Sequence, residues 1–273
     1  MRIDAHQHLW NPARGDYGWM RGEAVAAINR PILPGDLAPH LRKHGISKTV
    51  LVQAAPSVEE TEYMLGLADA TDWIAKVVGW VDFGDSSQLA HMERLSRHPK
   101  FAGLRPMIQD IPDVGWMLKP EVQWAYEAMI RLDLTFDALG FPRHLDNFLR
   151  LFERYPTLRA VIDHGMKPQI RDGAFDEWAK KIAAIAARTN VFCKISGLAN
   201  EAGPGWTAEG LKPYVAHLIG CFGPDRLMWG SDWPVLELAG SYDGWFSVAQ
   251  GLVPPAMSEQ IFGGTAARFY RIA

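Results

Sequence analysis

Two kinds of apolar pattern alternate along this chain. Short runs rich in β-branched residues are typical of buried strands, and longer segments with an apolar residue at every third or fourth position are typical of helices. Eight short runs predict strands at 3–8, 48–53, 75–82, 102–106, 134–139, 159–164, 191–196 and 226–231. Between them, helical spacing predicts helices at 37–44, 86–98, 121–132, 144–155 and 175–188.

This alternation indicates the fold class. Strands that are each followed by a helix form parallel sheets, and eight such units in about 250 residues make a (β/α)8 barrel, also called a TIM barrel. An open, doubly wound α/β sheet is the alternative, but no glycine-rich phosphate-binding motif follows any of the runs. We therefore expect an α/β protein with one barrel domain, at most distorted, over residues 1–273.

The composition excludes several classes of partner. Hydrophobic residues make up 48% of the chain and charged residues 22%, which is the balance of a globular protein with a sizeable core. The formal net charge of -3 leaves no excess of Lys and Arg for nucleic acid. No stretch approaches the ~18 apolar residues of a membrane helix, and no leader precedes the first strand. The two cysteines are too few for a disulfide framework. We expect a cytoplasmic protein with a small-molecule partner, in an oligomeric state that the sequence leaves open.

Two histidines near the start of the chain are the first sign of chemistry. His6 and His8 flank Gln7 in the first predicted strand. Alternate residues of a strand point to the same face, and their Cα atoms lie ~6 to 7 Å apart, so the two imidazoles can share one ion. A pair of histidines that only form hydrogen bonds in a barrel mouth fits the same eight residues equally well.

Two further polar residues close predicted strands. His164 ends the sixth strand and Asp232 follows the eighth, whereas the other histidines fall in helical or helix-end segments. In a barrel the carboxyl ends of all strands meet at one rim, where active sites lie. Three imidazoles and one carboxylate are therefore expected at the same rim. Their meeting favours a functional site over four unrelated residues that only form hydrogen bonds.

Several motifs also resemble those of a known family. They are 4–8 (DAHQH), 103–106 (GLRP), 162–165 (IDHG), 194–198 (KISGL) and 230–234 (GSDWP). With them, nearly the whole chain resembles the amidohydrolase superfamily, and more narrowly its small single-domain branch of sugar lactonases and related decarboxylases. Segments 9–12 (LWNP) and 16–20 (DYGWM) are most similar to hydrolases of sugar lactones such as L-fuconolactone and L-rhamnonolactone.

The resemblance implies roles for the rim residues. It implies that His6, His8 and His164 hold one divalent ion, and that Asp232 is a ligand or the base, so that His164 and Asp232 are the catalytic pair. Three nitrogens and one carboxylate suit Zn²⁺, with water completing its shell. Dinuclear relatives use a mid-barrel lysine that the fifth predicted strand lacks, so one metal is expected. Some similar lactonases are thought to work without metal, and that alternative stays open.

The expected reaction is the opening of a sugar lactone to its aldonic acid, by attack of a water activated by the metal or by Asp232. Arg105, Lys194, Gln53, Trp19 and Trp233 are the candidate substrate-binding residues. Lys194 stands where a further histidine ligand is expected, and its ammonium suits a substrate oxygen. With only two cations at the strand ends, a neutral polyhydroxy lactone fits better than a dicarboxylate. Weaker candidates for sugar contacts are Asp82, Asp137 and Tyr17.

Two other functions fit the same residues. One is a metal-dependent decarboxylase, or a hydrolase of an aromatic or unsaturated acid lactone, on the same barrel. The other is a barrel that binds a ligand without turning it over. Release of CO₂ distinguishes a decarboxylase from a lactonase, and loss of turnover in a variant distinguishes either enzyme from a binding protein.

Overall fold

Eight parallel strands form one sheet in this computed structural model, which describes residues 1–273, and their order in the sheet follows their order in the chain. All neighbouring pairs in the sheet are parallel. The (β/α)8 barrel expected from the sequence is confirmed. The strands are β1 (Arg2–Gln7), β2 (Ile46–Val52), β3 (Ile74–Gly79), β4 (Phe101–Leu104), β5 (Thr135–Ala138), β6 (Arg159–Ile162), β7 (Phe192–Ile195) and β8 (Leu227–Trp229).

Helices surround the sheet, and the longer ones bury an apolar stripe. Leu145, Phe148, Leu151 and Phe152 form such a stripe on the fifth helix. No helix combines the length and the apolar character needed to cross a membrane. The helices are α1 (Pro34–His44), α2 (Val58–Asp69), α3 (Leu89–Leu95), α4 (Gln123–Arg131), α5 (Leu145–Arg154), α6 (Asp176–Arg188), α7 (Leu198–Ala202), α8 (Ala208–Phe222), α9 (Tyr242–Leu252), α10 (Pro255–Glu259) and α11 (Thr265–Tyr270).

The core has two parts. A cluster of 67 buried residues fills the space between the sheet and the helices. A smaller cluster of 12 buried residues joins strand residues such as Ile3 and Val50 to Phe269 and Tyr270 of α11. The last helix therefore packs against the barrel interior, and it brings the end of the chain close to residues of the strands.

The barrel closes at the rim where the site was predicted. Beyond the end of β8, the Asp232 amide donates to the His6 carbonyl and the His8 amide donates to the Trp233 carbonyl, both at 2.8 Å. These bonds tie the end of β1 to the segment after β8. They bring Asp232 beside the first two histidines, which are more than 220 residues away in the chain.

All eight strands end before the carboxyl ends that the sequence predicted. β6 ends at Ile162 and β8 at Trp229. His164 (φ 55°) and Asp232 (φ 58°) then adopt the left-handed backbone region, which side chains other than glycine rarely occupy. Such outliers concentrate at functional sites, because the surrounding structure must hold them. His164 and Asp232 therefore lie in the first turns of the loops, whereas His6 lies within β1.

Candidate active site

The structure brings the four predicted ligands together. His6 Nε2 and His8 Nε2 are 3.2 Å apart. Oδ1 of Asp232 lies 3.2 Å from His8 Nε2, 3.7 Å from His6 Nε2 and 3.8 Å from His164 Nε2. We call these four side chains the rim cluster.

Hydrogen bonds behind the rings orient two of the histidines. His8 Nδ1 lies 2.8 Å from the Val52 carbonyl oxygen, which can only accept, so Nδ1 carries the hydrogen and Nε2 offers a lone pair to the cluster. His164 Nδ1 lies 2.8 Å from the Ser196 hydroxyl. The lone pair of His8 Nε2 then faces the Asp232 carboxylate with no hydrogen between them. This contact becomes favourable when a proton on Nε2 or a metal ion lies between the two groups.

The donor atoms fit a divalent metal ion. Ligand bonds to zinc are about 2.0 to 2.2 Å, so tetrahedral ligand atoms are about 3.3 Å apart. The separations of 3.2 to 3.8 Å around Asp232 Oδ1 are close to that value. His6, His8 and Asp232 offer ligand atoms that all lie within 4.8 Å of one another, whereas His164 belongs to a second such set with His6 and Asp163. Three imidazole nitrogens with one carboxylate oxygen are also a typical ligand set for zinc.

Burial and neighbouring charges shift the pKa values of three residues of the rim cluster. It lowers the pKa of His164 to about 4. Burial, with the nearby Lys194 ammonium, holds the pKa of His6 well below its ordinary value. Burial has the opposite effect on Asp232, but the neighbouring His164 and His8 outweigh it and lower the pKa of that carboxyl. Neutral imidazoles and an ionised carboxylate are the forms that bind a metal ion.

A cavity of about 230 Å³ opens above the cluster. Part of its wall is apolar, formed by Trp10, Trp19, Ala54, Met107, Leu139 and Val235. Besides His8, His164 and Asp232, its polar wall consists of Arg105, Gln109, Asp110 and Lys167. A mixed wall of this kind suits a small molecule with both apolar and hydroxyl-bearing faces.

Two of the predicted substrate-binding residues line this cavity. Trp19 is partly exposed and donates from Nε1 to the Ala54 carbonyl at 2.7 Å. Arg105 is nearly buried, and its guanidinium donates to the backbone and side-chain oxygens of Gln53 and to Asp163. Much of the hydrogen-bonding capacity of Arg105 is therefore directed into the protein rather than toward the cavity.

Three other predicted substrate contacts are not placed at the cavity. Lys194 is completely buried below the cluster, where Asp137 and Asp163 surround it, so its position does not fit the predicted contact with a substrate oxygen. Gln53 is buried and supports Arg105. Trp233 is buried, and its Nε1 donates to Glu237 at 2.8 Å.

The weaker candidates are likewise absent from the cavity wall. Asp82 is exposed and accepts a hydrogen bond from the Gly84 amide. Asp137 is buried against Lys194, and Tyr17 is buried beside Glu60. Their positions after strands did not determine where the side chains point.

Lys167 is the cavity cation that the sequence reasoning missed. Its Nζ donates to Gln109 Oε1 at 2.7 Å and lies 5.4 Å from the centre of the Phe141 ring. Two of its three donors are free for a ligand. Its position three residues after His164, in the same loop, is the sequence feature that could have identified it.

Comparisons with known proteins agree with this fold and site. The amidohydrolase family model matches residues 3–272. An L-fucono-1,5-lactonase from Burkholderia ambifaria is 44% identical, over 99% of this chain and 96% of the relative. A crystal structure of an amidohydrolase from Burkholderia multivorans with bound Zn superposes with a TM-score of 0.93 at 33% identity, covering 100% of both chains. The chain belongs to the amidohydrolase family.

The decarboxylases on this barrel are far more distant. A 5-carboxyvanillate decarboxylase from Sphingomonas paucimobilis superposes with a TM-score of 0.70 at 15% identity, covering 100% of this chain and 99% of the other. At that identity the likeness concerns the fold alone. It does not favour the decarboxylase alternative.

Proposed function

We propose that this protein is a sugar lactonase that opens L-fucono-1,5-lactone, or an aldonolactone of the same kind, to the aldonic acid. The observation that carries this proposal is the rim cluster, three of whose four residues line a small cavity with a mixed apolar and polar wall. The name of the relative at 44% identity supports the choice of substrate.

His6, His8, His164 and Asp232 are the residues that would hold one divalent ion, with zinc as the proposed metal. The Zn bound by the similar Burkholderia multivorans protein supports this identity. When bound, such an ion lowers the pKa of a water molecule and polarises the lactone carbonyl. The histidines then serve to fix the position of the ion under the cavity.

Asp232 is the residue that accepts the proton of the attacking water and later returns it. All its contacts with the three histidine nitrogens use Oδ1, so Oδ2 is the oxygen left to accept the proton of the attacking water. Collapse of the tetrahedral intermediate breaks the bond between the carbonyl carbon and the ring oxygen. The same carboxyl group can return its proton to that oxygen, which leaves the open hydroxy acid.

The cavity wall orients the sugar. Lys167 has donors free for a hydroxyl oxygen or for the carboxylate that forms when the ring opens. Trp10 and Trp19, whose ring centres are 5.5 Å apart, offer an apolar surface to the carbon face of the sugar. Because Arg105 is largely committed to Gln53 and Asp163, the cavity lacks the several free cations that a dicarboxylate would require.

A pH-indicator assay with a panel of aldonolactones tests the function. We expect acid release from L-fucono-1,5-lactone and its close stereoisomers, with no CO₂ collected in a trap. Absence of turnover on every aldonolactone in the panel would refute the proposal. Release of CO₂ from an aromatic acid would replace it with the decarboxylase alternative.

A further inference from the structure

A second group of polar side chains lies below the rim cluster, and the proposed reaction does not use it. Lys194, Asp137 and Asp163 have no exposed surface, and Tyr270 of α11 is 2% exposed. We call these four residues the ionic layer. Ions so deeply buried are tolerated only when opposite charges and hydrogen bonds compensate them.

The Lys194 ammonium is at the centre of this layer. Its Nζ lies 2.5 Å from Asp137 Oδ2, 3.0 Å from Asp163 Oδ1 and 3.1 Å from His6 Nδ1. The ammonium donates to the two carboxylates. When His6 Nε2 is a metal ligand, its Nδ1 carries the hydrogen and faces Asp163 Oδ1 at 3.4 Å, so the ammonium lies beside this ring without donating to it. The Tyr270 hydroxyl donates to Asp137 Oδ2 at 2.7 Å and so fixes that carboxylate from the C-terminal helix.

The same region contains a second set of potential metal ligands. His6, Asp163 and His164 each offer a ligand atom within 4.8 Å of the others, and this set shares His6 and His164 with the rim cluster. Lys194 Nζ is in contact with two of its three members. An ammonium and a divalent ion repel each other strongly at such distances in a buried site.

We infer that Lys194 is a built-in cation that takes the place of a second divalent ion, so that the barrel centre holds one metal ion and not two. The inference rests on the metal centre of the proposed function. In this inference Lys194 limits the number of bound metal ions and does not bind the substrate.

Charge in the layer supports the inference. Two carboxylates, Asp137 and Asp163, face two cations, Lys194 and Arg105, whose NH1 is 3.3 Å from Asp163 Oδ2. Without the ammonium, two carboxylates remain against one guanidinium. The space left by a shortened side chain is lined by carboxylate oxygens and an imidazole nitrogen, which are ligands for Mn²⁺ and Zn²⁺.

The test counts ions in Lys194→Ala. Parent and variant are loaded with Zn²⁺ or Mn²⁺ and desalted, and the metal is measured per chain. We expect one ion in the parent and two in Lys194→Ala, and with Mn²⁺ we expect the electron paramagnetic resonance spectrum of a coupled pair. Lys167→Ala is the control, since it removes a lysine charge from the cavity wall but leaves the ionic layer intact, and it should hold one ion.

A second variant and a folding measurement ensure that the experiment tests the inference even if Lys194→Ala is unstable. Lys194→Met loses the charge but fills the space, so it should stay at one ion. If Lys194→Ala is unfolded without metal, its recovery with added Mn²⁺ supports the inference. Failure to fold at any Mn²⁺ concentration, or an ion number equal to or below that of the parent, would overturn it.

The test of the Lys194 inference can be distinguished from the test of the proposed lactonase function. The inference about Lys194 is judged from the difference of one ion between variant and parent. A parent that holds no ion and is fully active would refute the metal part of the lactonase proposal, whatever that difference is.

Discussion

The ionic layer lies below the rim cluster and contacts it through His6, yet the charges of the two groups are balanced in different ways. In the layer, Lys194 neutralises the carboxylates, and the group is closed to solvent. In the cluster, Asp232 and the ring nitrogens converge without a lysine or arginine of their own at ion-pair distance from Asp232.

This difference indicates which region is open to added ions. Where the chain supplies the cation, the site is complete and buried. In the rim cluster no lysine or arginine lies beside Asp232, and His8, His164 and Asp232 line the cavity, so a metal ion is the proposed partner of these donors. Variants that change one region at a time test this difference.

The largest expected effect is at the rim. Asp232→Asn keeps the shape of the side chain but cannot accept the proton of water, so kcat on the best lactone should fall by about 10² to 10⁴. Steady-state kinetics measure this loss. Asp110→Asn, which changes a cavity carboxylate outside the cluster, is the matched control and should lose far less.

If Asp232→Asn kept more than about a tenth of the parental kcat, its role as the base would be wrong. A barrel that only binds its ligand would show no turnover in the parent either. The pair of measurements therefore separates an enzyme from a binding protein.

A smaller effect is expected at the cavity wall. Lys167→Ala should raise KM by about tenfold, since a charge-assisted hydrogen bond to a ligand is worth about 1.5 kcal/mol or more. Metal content should stay unchanged. Arg143→Ala is the control, because Arg143 also lies over the Phe141 ring but does not line the cavity. Equal changes in KM for the two variants would argue against substrate binding by Lys167.

The smallest effects are expected in stability. Tyr270→Phe removes a buried donor from Asp137 and should lower the free energy of unfolding by about 1.5 to 3 kcal/mol. Tyr126→Phe removes a buried hydroxyl that has no partner, so it should be neutral or slightly stabilising. Urea denaturation measures both. Equal losses in the two variants would mean that the hydroxyl of Tyr270 adds nothing to the ionic layer.

The sequence was sufficient to predict the barrel and the proximity of the rim residues. Alternation of strand and helix patterns determines a (β/α)8 barrel, and the barrel places strand ends at one rim. His6, His8, His164 and Asp232 come together for that reason, although their binding of a metal stays a prediction.

The substrate contacts were less predictable, because they depend on where a side chain points. Lys194 belongs to β7 itself, so it lies inside the barrel below the rim and meets two carboxylates there. Lys167 reaches the cavity through a turn of left-handed residues after β6. Strand periodicity contains no information on such a turn.

The most direct test of the account is to remove and restore the metal while measuring lactone hydrolysis. The protein is treated with a strong chelator, desalted and titrated with Zn²⁺, and the metal per chain is determined at each point. We predict that activity falls with the metal and returns in proportion to it, to a maximum at one ion per chain. Full activity of the metal-free protein in the presence of the chelator would contradict the account.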